Sequence, residues 1–187
     1  MENVPEIHTP RVRLRGWRSE DLDPFAAMSA DPEVMRHFPA TLTRAECAAM
    51  IDRIQAHFAR HGFGLWAAEL QGEAPFIGFV GLAVPRFQAA FTPCVEIGWR
   101  LAREHWGRGY VTEAARAALH HGFTVHGLEQ IYSFTVPANL RSRAVMERLG
   151  FRHSPEEDFD HPMFVEGHPL RRHVLYRLRR EEFMAGA

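Results

Sequence analysis

Apolar and polar residues alternate along VRLRGW, Val12 to Trp17, the period of a strand with one buried face. Ser19 then offers a helix cap for SEDLDPFAAMSA, and Asp31-Pro32 in DPEVMRHF reads as a second helix start, with proline at the first helical position. In TRAECAAMIDRIQAHFARHG the period lengthens. Cys47, Met50, Ile51, Ile54 and Phe58 share a helical face, Thr43 and Glu46 form a capping box, and Gly62 ends the helix. FGLWAAEL and FIGFVGLAV, joined by the polar turn QGEAP, predict an antiparallel hairpin. VEIGWRL, Val95 to Leu101, is a further strand. A helix follows from Gly109 to about Gly127, then the strand QIYSFTV, a helix NLRSRAVMERLG ending at Gly150, and a last strand RRHVLYRLR. This order predicts a mixed α/β (α+β) sheet, antiparallel at first, with a strand–helix–strand crossover near the middle.

Size and charge narrow the function classes. The 187 residues are enough for one ordinary domain and short for two, so residues 1–187 are expected to form a single domain. Net charge is −1, which points to neither nucleic acid nor a membrane surface. The local basic runs RVRLRGWR and LRRHVLYRLRR read as strands with solvent-facing arginines. No apolar run approaches the ~20 residues of a membrane span, and MENVPEIHTPRVRLRGW lacks the organisation of a signal peptide. Cys47 and Cys94 are too few for a disulfide framework or zinc ribbon, so a cytoplasmic, reduced protein is expected. HSPEEDFDHPMFVEGHPLRRH gathers four histidines and several acids, but its spacings match no zinc pattern; it reads as a long loop, and no metal is expected.

Chemistry concentrates in REHWGRGYVTEAARAALHHGF, where Gly107 and Gly109 stand at the mouth of a helix. The first amides of a helix have no internal partners and carry partial positive charge. Glycines let the preceding backbone curl so that successive N–H groups converge on an anion. A P-loop is excluded because no Lys-Ser or Lys-Thr follows the second glycine. A dinucleotide fingerprint is excluded because position 112 is Thr. A tight turn that holds nothing is the competing reading.

VEIGWRL, HWGRGYVTEA and VPANLRSRAVMERLGF, in this order, resemble the motifs of the Gcn5-related N-acetyltransferases (GNAT), and most closely the RimJ/RimL-like branch. The resemblance covers about Thr9 to Leu178. It implies a fold of about seven strands, with a splayed central strand pair and flanking helices. It also implies acetyl-CoA as acyl donor, its pyrophosphate held by the amides of Trp106, Gly107, Arg108, Gly109 and Tyr110. Glu104 departs from the family's Gln or Arg, and a carboxylate there must point away from a diphosphate; Arg103 and Arg108 could supply side-chain charge. The strand residues Ile97, Gly98 and Trp99 are the implied hydrogen-bonding edge for the pantetheine arm, with Gly98 permitting a kink or, alternatively, a close packing contact. Asn139 and Ser142 match an N-x-x-S pattern, in which Asn139 holds the coenzyme arm and Ser142 faces the thioester sulfur. Simple helix capping is the other reading of Asn139.

The implied reaction is direct attack of a primary amine on the thioester in a ternary complex, aided chiefly by positioning and by a strand N–H at the oxyanion. Glu96 is the first choice of base, since it interrupts an apolar strand where burial would raise its pKa; an exposed strand residue is the alternative. Met146 stands where many relatives carry a tyrosine acid, which leaves Ser142 or water to protonate the thiolate. His105 is either a phosphate contact or an exposed turn residue. Trp17, Phe38, Phe63 and Trp66 read as core before acceptor pocket. Phe159, Phe164, Glu156, Glu157 and Asp158 are acceptor-loop candidates with a slight bias towards a cationic amine. A protein N-terminus and a small-molecule amine both remain open as acceptor, a non-catalytic acyl-CoA sensor is the alternative function, and edge strands leave a homodimer open.

Overall fold

The structure is a computed structural model and describes residues 4–186. The chain packs as two compact units, Met1–Ala83 with Gly98–Ala118, and Val84–Ile97 with Leu119–Ala187.

In the first unit, β1 (Ile7–His8), β2 (Val12–Arg15), β3 (Leu65–Leu70) and β4 (Ala74–Ala83) pair successively as antiparallel neighbours. The alternation in VRLRGW is the cause of its placement: Val12 and Leu14 are fully buried, Arg13 only partly. β3 and β4 form the hairpin expected from the sequence. Helix α1 spans Leu22–Ala30 and α2 spans Arg44–His61. Thr43 caps α2: its hydroxyl accepts from the Glu46 N–H, and the Glu46 carboxylate accepts from the Thr43 N–H. Gly62 closes the helix at φ 74°, and Cys47, Ile51, Ile54 and Phe58 are its buried stripe. Trp66, fully buried, donates its indole N–H to the Pro5 carbonyl at 2.7 Å.

Strand β5 (Glu96–Leu101) and helix α3 (Tyr110–Thr124) contribute residues to both units. In the second unit, β5 is parallel to β6 (Gln130–Thr135) through the single register pair Glu96↔Tyr132. The Tyr132 N–H donates to the Val95 carbonyl at 2.9 Å, and the Ser133 hydroxyl donates to the Ile97 carbonyl at 3.1 Å. β6 is antiparallel to β9 (Arg172–Arg179) along six residue pairs. β9 also carries β7 (Arg152–His153) and β8 (Phe159–Asp160). Helix α4 is Leu140–Arg148, and α5 is Arg180–Ala185.

The mixed α/β architecture and the β5–α3–β6 crossover match the sequence expectation, with corrections. The described residues form nine strands rather than about seven, because β1, β7 and β8 have two residues each and carry no readable period. DPEVMRHF is a run of turns, not a helix. The Asp31 carboxylate does accept from the Glu33 N–H at 2.8 Å, but the turn does not propagate, and Pro39 disfavours helical backbone at Phe38. Ser19 does not cap α1: it opens a short 3-10 turn, Ser19–Asp21, and its hydroxyl bonds to Glu20. The loop before β9 contains a 3-10 turn, Pro155–Glu157, as well as β8. Arg15, expected to face solvent, is buried, because Asp21 and Glu69 converge on its guanidinium.

Candidate functional site

In the first unit the segment between β5 and α3 is built as the glycine pair predicts. Gly107 has φ 73° and Gly109 has φ 82°, both in the left-handed region that glycine alone adopts at low cost. A Cβ at Gly107 would meet no atom within 4 Å, and one at Gly109 only the Arg11 Nη2, at 3.4 Å. The amides of Gly107, Arg108, Gly109 and Tyr110 donate to no carbonyl among the described residues. Neither do those of Val111 and Thr112, and the first closing bond of α3 is Glu113 N–H to the Gly109 carbonyl at 3.0 Å. Six consecutive donors are therefore left at a helix start, two of which, Val111 and Thr112, the motif comparison passes over. They could have been found by counting, since every α-helix leaves its first N–H groups unpaired.

Trp106 is a correction. Its N–H donates to the Arg103 carbonyl at 3.2 Å, because residues 103–105 form a 3-10 turn that closes onto it. Its indole N–H donates to the Leu101 carbonyl at 2.8 Å, so Trp106 braces the loop. The brace has a second arm. Arg11 donates to the Arg108 carbonyl at 3.1 Å and to the Glu113 carboxylate at 2.7 Å, and stacks on Tyr110 with its guanidinium carbon 4.8 Å from the ring centre. Thr9 donates to the same carboxylate at 2.6 Å. These bonds hold the Glu113 carboxyl below its usual range despite the opposing effect of partial burial. The Glu104 side chain is 71% exposed, and Arg103 and Arg108 are exposed as well. His105 is half-buried rather than an exposed turn residue, and its Nδ1 has no hydrogen-bond partner among the described residues.

Gly98 shows neither a close packing contact nor a positive φ: a Cβ there would meet no atom within 4 Å, and β5 runs through it unbroken. Trp99 is half-buried and Ile97 is buried.

In the second unit, Glu96 is half-buried and forms no side-chain hydrogen bond or ion pair among the described residues. Desolvation alone pushes its carboxyl up to about 8. Its register partner Tyr132 is 7% exposed and packs on Phe91 at 5.5 Å between ring centres. Cys94, two residues earlier, is pushed up to about 12 by burial and by the Glu96 charge, so it stays a thiol at neutral pH and is unfit as a nucleophile.

Asn139 is the cap of α4. Its Oδ1 accepts from the Ser142 N–H at 3.3 Å, and its Nδ2 donates to the Thr135 hydroxyl at 2.9 Å. Ser142 is half-buried. Asn139→Ala is expected to cost about 1 kcal/mol, lowering Tm by about 2–4 °C in a chain of this size; an unchanged Tm in a thermal melt would remove the capping role. Met146 is 1% exposed and belongs to the core.

The acceptor-loop candidates separate. The Asp158 carboxylate is bound by the Leu175 N–H at 3.1 Å and by His153 Nε2 at 2.8 Å, and Glu157 pairs with Arg177. Asp158 and Glu157 are thus engaged inside the unit, while Glu156 is exposed. Phe159 lies 4.8 Å from Phe91 and 5.9 Å from Phe87, and Phe164 packs on His161 and His168. Trp17, Phe63 and Trp66 are buried core, whereas Phe38 is 38% exposed. Among the described residues no cluster of three or more His, Cys, Asp or Glu is arranged to hold a metal, and no helix is long and apolar enough to cross a membrane.

Comparison with known proteins agrees with this geometry. Residues 11–152 match the model of the Acetyltransferase (GNAT) domain. Protein YkkB of Bacillus subtilis is 33% identical over 155 residues, covering 82% of this chain and 89% of that protein. The FsC-acetyl coenzyme A-N(2)-transacetylase of Aspergillus fumigatus is 31% identical over 197 residues, covering 96% of this chain and 78% of that enzyme. Mycobacterium smegmatis RimJ, solved in complex with CoA-disulfide, superposes with a TM-score of 0.73 at 26% identity, covering 96% of this chain and 88% of that one. The chain therefore belongs to the GNAT acetyltransferases, with RimJ among its structural neighbours, and is an acyltransferase.

Proposed function

We propose that this protein is a single-domain N-acetyltransferase that uses acetyl-CoA to acetylate a primary amine in a ternary complex. The observation that carries the reading is the run of six unpaired amides from Gly107 to Thr112 at the start of α3. The diphosphate of a coenzyme fits such a set, because fixed N–H dipoles replace its water without any reorganisation. The identity of the FsC transacetylase and the CoA-bound state of RimJ support the same donor.

When bound, acetyl-CoA supplies an activated thioester carbon. The chain's own residues do the rest. Gly107–Thr112 amides hold the diphosphate, and the backbone of Ile97, Gly98 and Trp99 is the edge for the pantetheine arm, with open space where a side chain at 98 would stand. Glu96 accepts the proton of the attacking amine; with its carboxyl raised to about 8, it is poised for transfer near neutral pH. Asn139 fixes the start of α4, and Ser142 or a water delivers a proton to the departing thiolate. Met146 does not, since it lacks a proton to give.

The test is release of free thiol from acetyl-CoA across a panel of amines and amino-terminal peptides. Turnover on at least one member is expected. Tight coenzyme binding with no turnover on any of them would instead establish an acyl-CoA sensor.

A further inference from the structure

Two arginines are buried in the first unit, and they are treated in opposite ways. Arg15 is 1% exposed and fully answered. It donates to both oxygens of Asp21 at 2.7 and 2.8 Å, to Glu69 at 2.8 Å, and to the Gly16 and Pro75 carbonyls. This is how a purely structural guanidinium is accommodated: a buried cation needs an anion and acceptors for its remaining protons.

Arg100, on β5, is 8% exposed and has no carboxylate partner among the described residues. Its hydrogen bonding among them is one long contact, Nη1 to the Ser29 hydroxyl at 3.3 Å, and Nε has no partner. Two rings take the place of an anion: the guanidinium carbon is 4.2 Å from the centre of Phe38 and 5.3 Å from that of Phe79. Burial lowers the guanidinium to about 10, which still leaves it charged at neutral pH. Phe79 is core, but Phe38 is 38% exposed and stands in the turn-rich segment between α1 and α2. One face of a buried cation is thus covered by a ring that is itself in contact with solvent.

We propose that Arg100 is the receptor for a carboxylate on a small-molecule ligand, which enters beneath Phe38 and shares Ser29 as second donor. The planar fork of a guanidinium matches a carboxylate in two parallel hydrogen bonds. A single cation neutralises one negative charge, so a phosphate dianion would bring in charge that nothing there balances. The carboxylate has two sources: the acceptor amine itself, or a separate molecule.

Binding is read without turnover, so this proposal stands or falls independently of acetyl transfer. Thermal melts are recorded in sodium acetate, with sodium chloride and inorganic phosphate at matched ionic strength. Acetate is expected to raise the Tm of the wild type saturably and more than chloride does, whereas the phosphate response, to which the amides at the start of α3 contribute, is expected to be the same in the wild type and in the Arg100 variant. Arg100→Met is expected to fold, since exchanging an unpaired buried charge for an apolar side chain is often neutral or stabilising, and to lose the acetate response. Ser29→Ala is expected to weaken apparent acetate affinity several-fold, and it serves if Arg100→Met does not fold. The same acetate response in the wild type and in the variants, or a phosphate response that Arg100→Met loses together with it, overturns the proposal. The source is then read from γ-aminobutyrate and its carboxamide as acceptors. An Arg100→Met rise in KM of tenfold or more, confined to γ-aminobutyrate, identifies the acceptor's own carboxylate. Equal effects on both amines, with the acetate response intact in the wild type, identify a separate carboxylate ligand.

Discussion

Glu96→Gln is expected to lower kcat by about 10²–10⁴, the usual contribution of a positioned proton acceptor, and to remove the part of the pH–rate profile that rises through about pH 8. At pH 7 a carboxyl of this pKa is about one-tenth ionised, so the wild-type rate should climb until the group is fully deprotonated. A profile unchanged by the substitution would exclude Glu96 as the base. The raised pKa also has a stability consequence of fixed sign. Glu96 is raised in the folded state, whereas in the unfolded chain it titrates near the ordinary value of 4.5. Between these values the folded state holds a proton that the unfolded state has lost. Stability therefore falls as pH rises from about 4.5 to about 8 and then levels off. Gln cannot ionise, so the variant should gain over the wild type across that window and match it at lower pH. The gain is at most ~1.4 kcal/mol for each pH unit that separates the folded and unfolded titrations, and partial exposure of the residue reduces it. A variant that loses rate while gaining stability near pH 8 separates a catalytic group from a structural one.

Gly109→Val is expected to weaken acetyl-CoA binding at least tenfold in calorimetry while leaving the far-ultraviolet circular dichroism intact. At φ 82° a β-branched residue is strained by about 1–3 kcal/mol, and the loop relieves that strain by turning its amides. Arg11 Nη2, 3.4 Å from the added Cβ, lies at the near edge of ordinary van der Waals contact, so the further γ-methyls of valine are what would meet it. Gly107→Val is the useful companion, because its φ of 73° imposes similar strain without any neighbour within 4 Å. Equal losses in the two variants would assign the effect to backbone conformation, and a larger loss at 109 would include the displacement of Arg11. Unchanged affinity in a folded Gly109→Val would separate the glycine turn from coenzyme binding.

Helix ends and turns were legible because their signals are local. The Thr43–Glu46 box, the Gly62 stop, the Gly107/Gly109 turn and the Asn139 cap each depend on residues within a few positions of one another. What depends on distant partners was not legible. Alternation in VRLRGW places Arg15 on the polar side of a strand, and only the arrival of Asp21 and of Glu69, 54 positions away, turns it into a core residue. Of the acidic loop residues, Glu157 and Asp158 meet Arg177 and a backbone N–H that β9 supplies from about 20 positions away, which no local pattern announces. Trp106 lost its place among the amide donors to a 3-10 turn that has no periodic signature. Glu96 lay between two readings, since one strand face can be wet or dry, and its desolvation is a property of the folded surroundings that the strand's own pattern does not carry.

Gly78 lies on β4 at φ 139°, and a methyl group there would come within 2.1 Å of the Arg100 carbonyl oxygen. The close approach of β4 to the later part of β5 thus requires a residue without a side chain at 78, a steric condition indifferent to salt and to pH. Descendants of this sequence can therefore retune what Trp99 and Arg100 touch by exchanging side chains, while the rail that carries them stays where glycine has set it.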